Sequence, residues 1–214
     1  MKQSDFDKEH RALAKVEAKR RGWKTVSGTS YWSAGPLFFD LVQRASAKEG
    51  SFFGSLRFKW LELDSSLWRI LEISSNENEP FILHANGAFV LTGQEILSFS
   101  RRSLEWLPGV LGAQVAEVMD RASVRAIEVA AQIDSIESYL HFVQKEHASF
   151  IERHPRAVTN VWKEALLVAM RTGDFTEASQ IARSRIAARD TGGFSVGGKN
   201  FFERALDILE ASGG

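Results

Sequence analysis

Apolar and polar positions change their spacing several times along the chain, and each change predicts a different element. Phe6, Leu13 and Val16 form a helical stripe, Ser4 followed by Asp7 reads as a capping box, and Gly22 stands where a left-handed C-terminal cap belongs. A first helix is therefore predicted near 4–20. Aromatic and β-branched runs then take over: Trp23, Val26, Tyr31 and Trp32, next residues 37–42, then residues 52–60. In the last run Phe52, Leu56, Phe58 and Trp60 occupy even positions and Ser55, Arg57 and Lys59 odd ones, the pattern of a strand with one solvated face. The connections, with Gly28, Gly35-Pro36 and Gly50, are too short for crossover helices, so the strands form an antiparallel meander. Residues 64–74 read as a short helix capped by Asp64 or as another strand, with the helix favoured. Asn86-Gly87, between the apolar runs 81–84 and 89–92, predicts a second hairpin.

Beyond Pro108 the spacing is helical. Leu111, Val115, Val118, Ala122, Ala126, Val129, Ile133, Ile136, Leu140 and Val143 recur at three- and four-residue steps, with a break expected at Asp134, which forms a capping box with Glu137. Two helices follow near 156–171 and 175–190, stopped and restarted by Gly173 and Asp174, and a last one runs from Phe201 to Ala211, capped by Asn200 with Glu203. A helix, then strands, then helices predicts an α+β fold: an antiparallel sheet of five to six strands in residues 1–107 and four to five helices in 108–214, packed as one compact unit.

Composition narrows the chemistry. The chain has 214 residues, 27 Lys+Arg against 27 Asp+Glu, and no Cys, which removes disulfides, thiol nucleophiles and cysteine metal sites. The start, MKQSDFDKEH, has no apolar h-region and no stretch nears the roughly 18 apolar residues of a span, so a cytoplasmic protein with no membrane partner is expected. No metal or cofactor is expected either. The five His form no H-E-x-x-H and no i, i+4 pair, and no Gly-x-Ser-x-Gly elbow occurs. Gly193 to Asn200 fits G-x-x-x-x-G-K but ends in Asn and follows a helix rather than a strand, so it reads as a flexible interhelical loop with Asn200 as a cap. Residues 162–182 resemble a single tetratricopeptide-type hairpin through Ala165, Ala169, Ala178 and Ala182. Arrays of that kind need about three repeats, so a packed helical hairpin is expected.

The neutral total hides a dipolar chain. Residues 8–24 hold Lys8, Arg11, Lys15, Lys19, Arg20, Arg21 and Lys24 against Glu9 and Glu17, seven cations to two anions, a net +5. Residues 62–95 hold Glu62, Asp64, Glu72, Glu77, Glu79 and Glu95 against Arg69, six anions to one cation, a net −5. Each segment is a candidate partner surface.

The helix near 4–20, Gly22-Trp23-Lys24, Ser27, Thr29 to Trp32 and the strands ending in Phe52 to Trp60 together resemble a bacterial family of unknown function. Several members of that family sit beside polymorphic or contact-dependent toxins. The resemblance covers residues 5–63 and implies a small cytoplasmic binding protein of the immunity type, with no catalytic residue. The resulting expectation is a non-catalytic immunity protein that binds a cognate toxin, such as a basic nuclease domain, through Glu62, Asp64, Glu72, Glu77 and Glu79. The alternative is nucleic-acid binding through Lys15, Lys19, Arg20, Arg21 and Lys24, with Trp23 available for stacking.

Overall fold

The computed structural model describes all residues except 1–2, 74, 77–82, 88, 154–160 and 213–214. The elements run α1 (Gln3–Arg20), β1 (Lys24–Val26), β2 (Thr29–Ala34), β3 (Leu37–Ser46), β4 (Ser51–Trp60), α2 (Glu62–Ile70), α3 (Leu83–Asn86), β5 (Gln94–Arg101), α4 (Val110–Ala130), α5 (Ile136–Arg153), α6 (Val161–Thr172), α7 (Phe175–Ala187), β6 (Ser195–Val196), β7 (Lys199–Asn200) and α8 (Phe201–Ser212). The fold is mixed α+β, with an N-terminal helix, a five-stranded antiparallel sheet and a helical C-terminal half. Two compact units divide it: residues 1–59 with 95–132, and residues 60–94 with 133–214. The sequence boundary at 107/108 follows a different line, because the sheet keeps α4 while residues 60–94 join the C-terminal helices.

In the first unit the sheet order is β1-β2-β3-β4-β5. β2 pairs with β3 so that Trp32 lies opposite Phe39 and Tyr31 opposite Asp40. One face carries an aromatic row: Trp23 lies 6.2 Å from Trp32, Trp32 5.4 Å from Phe39, and Phe39 5.9 Å from Phe58, separations at which ring pairs attract beyond their burial. The opposite face of β4 differs from the solvated one expected. Ser55 and Lys59 are buried, Arg57 pairs with buried Asp40, Ser55 donates to Glu95, and the Lys59 ammonium lies 5.5 Å from the Phe38 ring centre. Polar side chains persist there because they are paired. β5 was not anticipated; it occupies 94–101, just after the hairpin expected at 81–92.

That hairpin does not form in the described part of its segment. Residues 83–86 make a helical turn in which the Gly87 N–H donates to the Leu83 carbonyl (2.6 Å), so the Asn-Gly pair closes a helix instead of joining strands. Residues 81–82 and 88 lie outside the described residues.

The helix ends show how local chemistry sets boundaries. After α1 the Gly22 N–H donates to Lys19 O and Trp23 N–H to Ala18 O, a Schellman motif that needs the positive φ of Gly22 (77°). α1 begins at Gln3, which places Ser4 inside the helix, and Asp7 accepts from the Gln3 side chain (2.6 Å). The buried line of α1 is Phe6, His10, Ala14 and Ala18; Leu13 is half-buried and Val16 exposed, so the stripe is rotated from the expected one. Between α4 and α5 the capping box is Ser135 with Ser138, one residue on from Asp134 and Glu137: Ser138 N–H donates to Ser135 Oγ (3.1 Å) and Ser135 N–H to Ser138 Oγ (3.0 Å). Asp174 caps α7 through the Glu177 N–H (3.0 Å), as expected. In the second unit Ala165, Ala169, Ala178 and Ala182 are buried in the hairpin of α6 and α7, and Leu209 of α8 joins Ala169 and Ala178 in one cluster.

Candidate functional site

Of the acidic residues expected to meet a partner, the described ones are Glu62, Asp64 and Glu72, and they are not all on the surface. Asp64 is 0% exposed. Its helix, α2, begins at Glu62 after Leu61, so Asp64 sits in the first turn rather than at the cap position. One carboxylate oxygen accepts from the Leu91 N–H (2.8 Å) and the other from His84 Nδ1 (2.6 Å); a carboxylate can only accept here, so Nδ1 carries the proton. Asp64 is therefore an interior residue and not the surface contact expected of it. The His84 ring lies 5.1 Å from that of Trp68, whose Nε1 donates to Phe89 O (2.7 Å). Together Asp64 and Trp68 hold His84, Phe89 and Leu91 on α2, and at Phe89 and Leu91 they satisfy backbone groups that a partner strand would otherwise take. Glu62 and Glu72 are exposed, but Arg171 pairs with the first and Arg204 with the second (2.9 Å). Glu72 adopts a left-handed φ of 57°, closing α2. Glu77 and Glu79 lie outside the described residues.

Two further polar groups of the second unit escaped the sequence. The Tyr139 hydroxyl donates to buried Glu164 (2.9 Å), and burial together with that carboxylate pushes the phenol well above its ordinary value. Lys163 is 7% exposed; its ammonium donates to Gly192 O and lies 4.5 Å from the Phe194 ring centre. Burial lowers its pKa to about 8, against the pull of Asp190 and Glu164. The partners of these groups lie 20 or more residues away (64 to 84, 139 to 164, 163 to 192), where no local spacing rule reaches.

The G-x-x-x-x-G-K stretch is a paired hairpin rather than a flexible loop. Ser195 pairs with Asn200 and Val196 with Lys199 around Gly197-Gly198, both at positive φ (60° and 79°), the geometry of a two-residue turn. Lys199 is held by Asp207 of α8 (2.6 Å), and Asn200 Oδ1 caps the Phe202 and Glu203 N–H groups (2.9 and 3.1 Å). The helix-start amides that an anion would use are thereby taken.

The cations of α1 present a different picture. With the buried line at 6, 10, 14 and 18, the positions 8, 11, 15 and 19 fall about 120° round the helix, in solvent. Lys8, Arg11, Lys15 and Lys19 are all exposed there, along about 16 Å of helix axis. Among the described residues none of the four has an ion-pair partner, and the Arg11 guanidinium donates only to the Asp7 carbonyl (3.2 Å). Arg20 and Arg21 differ, because Glu17 pairs with both and Asp120 with Arg21. Trp23 is 5% exposed and packs on Trp32, so it offers no stacking surface. The electrostatic site that geometry assembles is this four-cation stripe.

Among the described residues no group of three or more His, Cys, Asp or Glu is placed to hold a metal ion, and no helix is long and apolar enough to cross a membrane. No family model, no curated protein and no solved structure matches the chain.

Proposed function

We propose that this protein acts by binding, in the cytoplasm and without chemistry of its own, and that the partner it binds is anionic where they touch. The observation that supports this is the stripe of Lys8, Arg11, Lys15 and Lys19, exposed and, among the described residues, without ion-pair partners on one helix of a neutral chain. Folded proteins usually intersperse surface charges of both signs, and a single-sign stripe steers an oppositely charged partner and sets its orientation. The immunity-type reading keeps its logic, since inhibition by complex formation needs complementarity and no catalysis. Its contact surface moves, however. A basic toxin domain would have to displace Arg171 from Glu62 and Arg204 from Glu72, whereas an acidic one meets cations that no described residue pairs with. The test is a titration of the full chain against two fluorescent anionic polymers, polyglutamate and a DNA duplex, at low salt and at about 150 mM salt. Binding that weakens with salt and is lost in the variant K8E/K15E/K19E supports the reading; no binding to either polymer at low salt refutes it.

A further inference from the structure

We infer that the cationic face of α1 docks an acidic protein segment carrying an apolar side chain, rather than a nucleic acid. This rests on the anionic-partner reading above and adds the class of partner. Going round α1 from the stripe, the exposed positions come in the order Ala12, Asp5, Val16 and Glu9, with Val16 62% exposed, and Arg20, paired with Glu17, stands beyond them. The cationic stripe thus gives way to a strip in which Ala12 and Val16 alternate with Asp5 and Glu9. A phosphate backbone, uniformly negative, would gain from the stripe and be repelled by Asp5 and Glu9 beside it. A protein segment can offer carboxylates to the stripe, an apolar side chain to Val16 and a cation to Asp5 and Glu9 on either side of it. Unstacked bases find no platform here, because Trp23 is buried against Trp32. The spacing fits as well: cations at steps of three and four along about 16 Å match carboxylates at the same steps on a helix lying alongside.

The probe is a synthetic helical peptide with four Glu at three- and four-residue steps and one Leu on the adjoining line, together with its Leu→Ser counterpart and a DNA duplex of about 16 Å or more in length. All are titrated against the full chain and against K8E/K15E/K19E and Val16→Ser, whose changes lie on exposed positions and whose folding is checked by thermal melting. The Leu peptide should bind in a salt-sensitive manner, weaken about tenfold or more in the triple variant, and weaken about fivefold in Val16→Ser. The Ser peptide should not notice Val16→Ser. A duplex bound more tightly than the Leu peptide, with no response to Val16→Ser, overturns the protein assignment while leaving an anionic partner in place. Failure of all three probes at low salt overturns both, and a Leu peptide that ignores the charge reversals overturns the docking surface.

Discussion

Asp64→Ala is the most decisive single perturbation of the second unit. The wild-type carboxylate takes the buried Leu91 N–H at 2.8 Å and His84 Nδ1 at 2.6 Å, and it is wholly shielded from water. Truncation leaves the amide without its acceptor, which costs about 1–3 kcal/mol, and removes a charge-assisted bond to a His84 side chain only 13% exposed, about 1.5–3 kcal/mol more. A loss of about 3–5 kcal/mol is expected, a large part of the 5–15 kcal/mol typical of a domain. Urea unfolding followed by tryptophan fluorescence is a direct assay, since Trp68 lies against His84 and reports on the same site. Asp64→Asn keeps an oxygen for Leu91 and should lose roughly 1–2 kcal/mol, and the coupling in an Asp64→Ala, His84→Ala cycle should exceed about 0.5 kcal/mol. If Asp64→Ala shifts stability by less than about 0.5 kcal/mol, as a surface carboxylate would, the interior assignment is wrong.

Two further predictions concern the interior. Lys163 has a native pKa of about 8, below its ordinary 10.5, so between those values the unfolded chain holds a proton that the native state has shed, and stability should rise with pH through this window by up to about 3 kcal/mol. Lys163→Met removes that rise relative to wild type in denaturation at pH 7.5 and about 9.5; equal slopes for both proteins would show that Lys163 is not the group responsible. In the first unit, a Cβ added at Gly54 would stand 2.6 Å from Val118 Cγ2 and 3.7 Å from Phe99 Cβ, so Gly54→Ala should cost about 1–3 kcal/mol and Val118→Ala should recover part of it. Additive losses in the double variant would mean that α4 does not approach β4 at this glycine.

Local chemistry in the sequence determined where many elements start and stop. Gly22 and Gly173 end helices because glycine alone takes their backbone angles without strain, and Asp174 and Asn200 begin them because a short polar side chain reaches the first free amides. The α+β class followed from the change of period, which depends only on neighbours two to four residues apart. What depended on distant partners was decided by tertiary structure. Asn86-Gly87 is a strong hairpin signal, yet the side chains of Asp64 and Trp68 take the backbone groups of Leu91 and Phe89, and a helical turn forms instead. The odd positions of β4 alternate as a solvated face would, but Asp40 and Glu95 supply partners for Arg57 and Ser55, so those polar side chains can be buried. Charge shows the same division. Net charge by segment was readable as arithmetic, whereas the availability of each charge depended on what the fold set beside it: Arg171 and Arg204 occupy Glu62 and Glu72, His84 occupies Asp64, and the α1 stripe keeps its cations in solvent because α1 turns Phe6, His10, Ala14 and Ala18 inward. A sequence records which groups carry charge, and only packing determines which of them remain exposed to a partner.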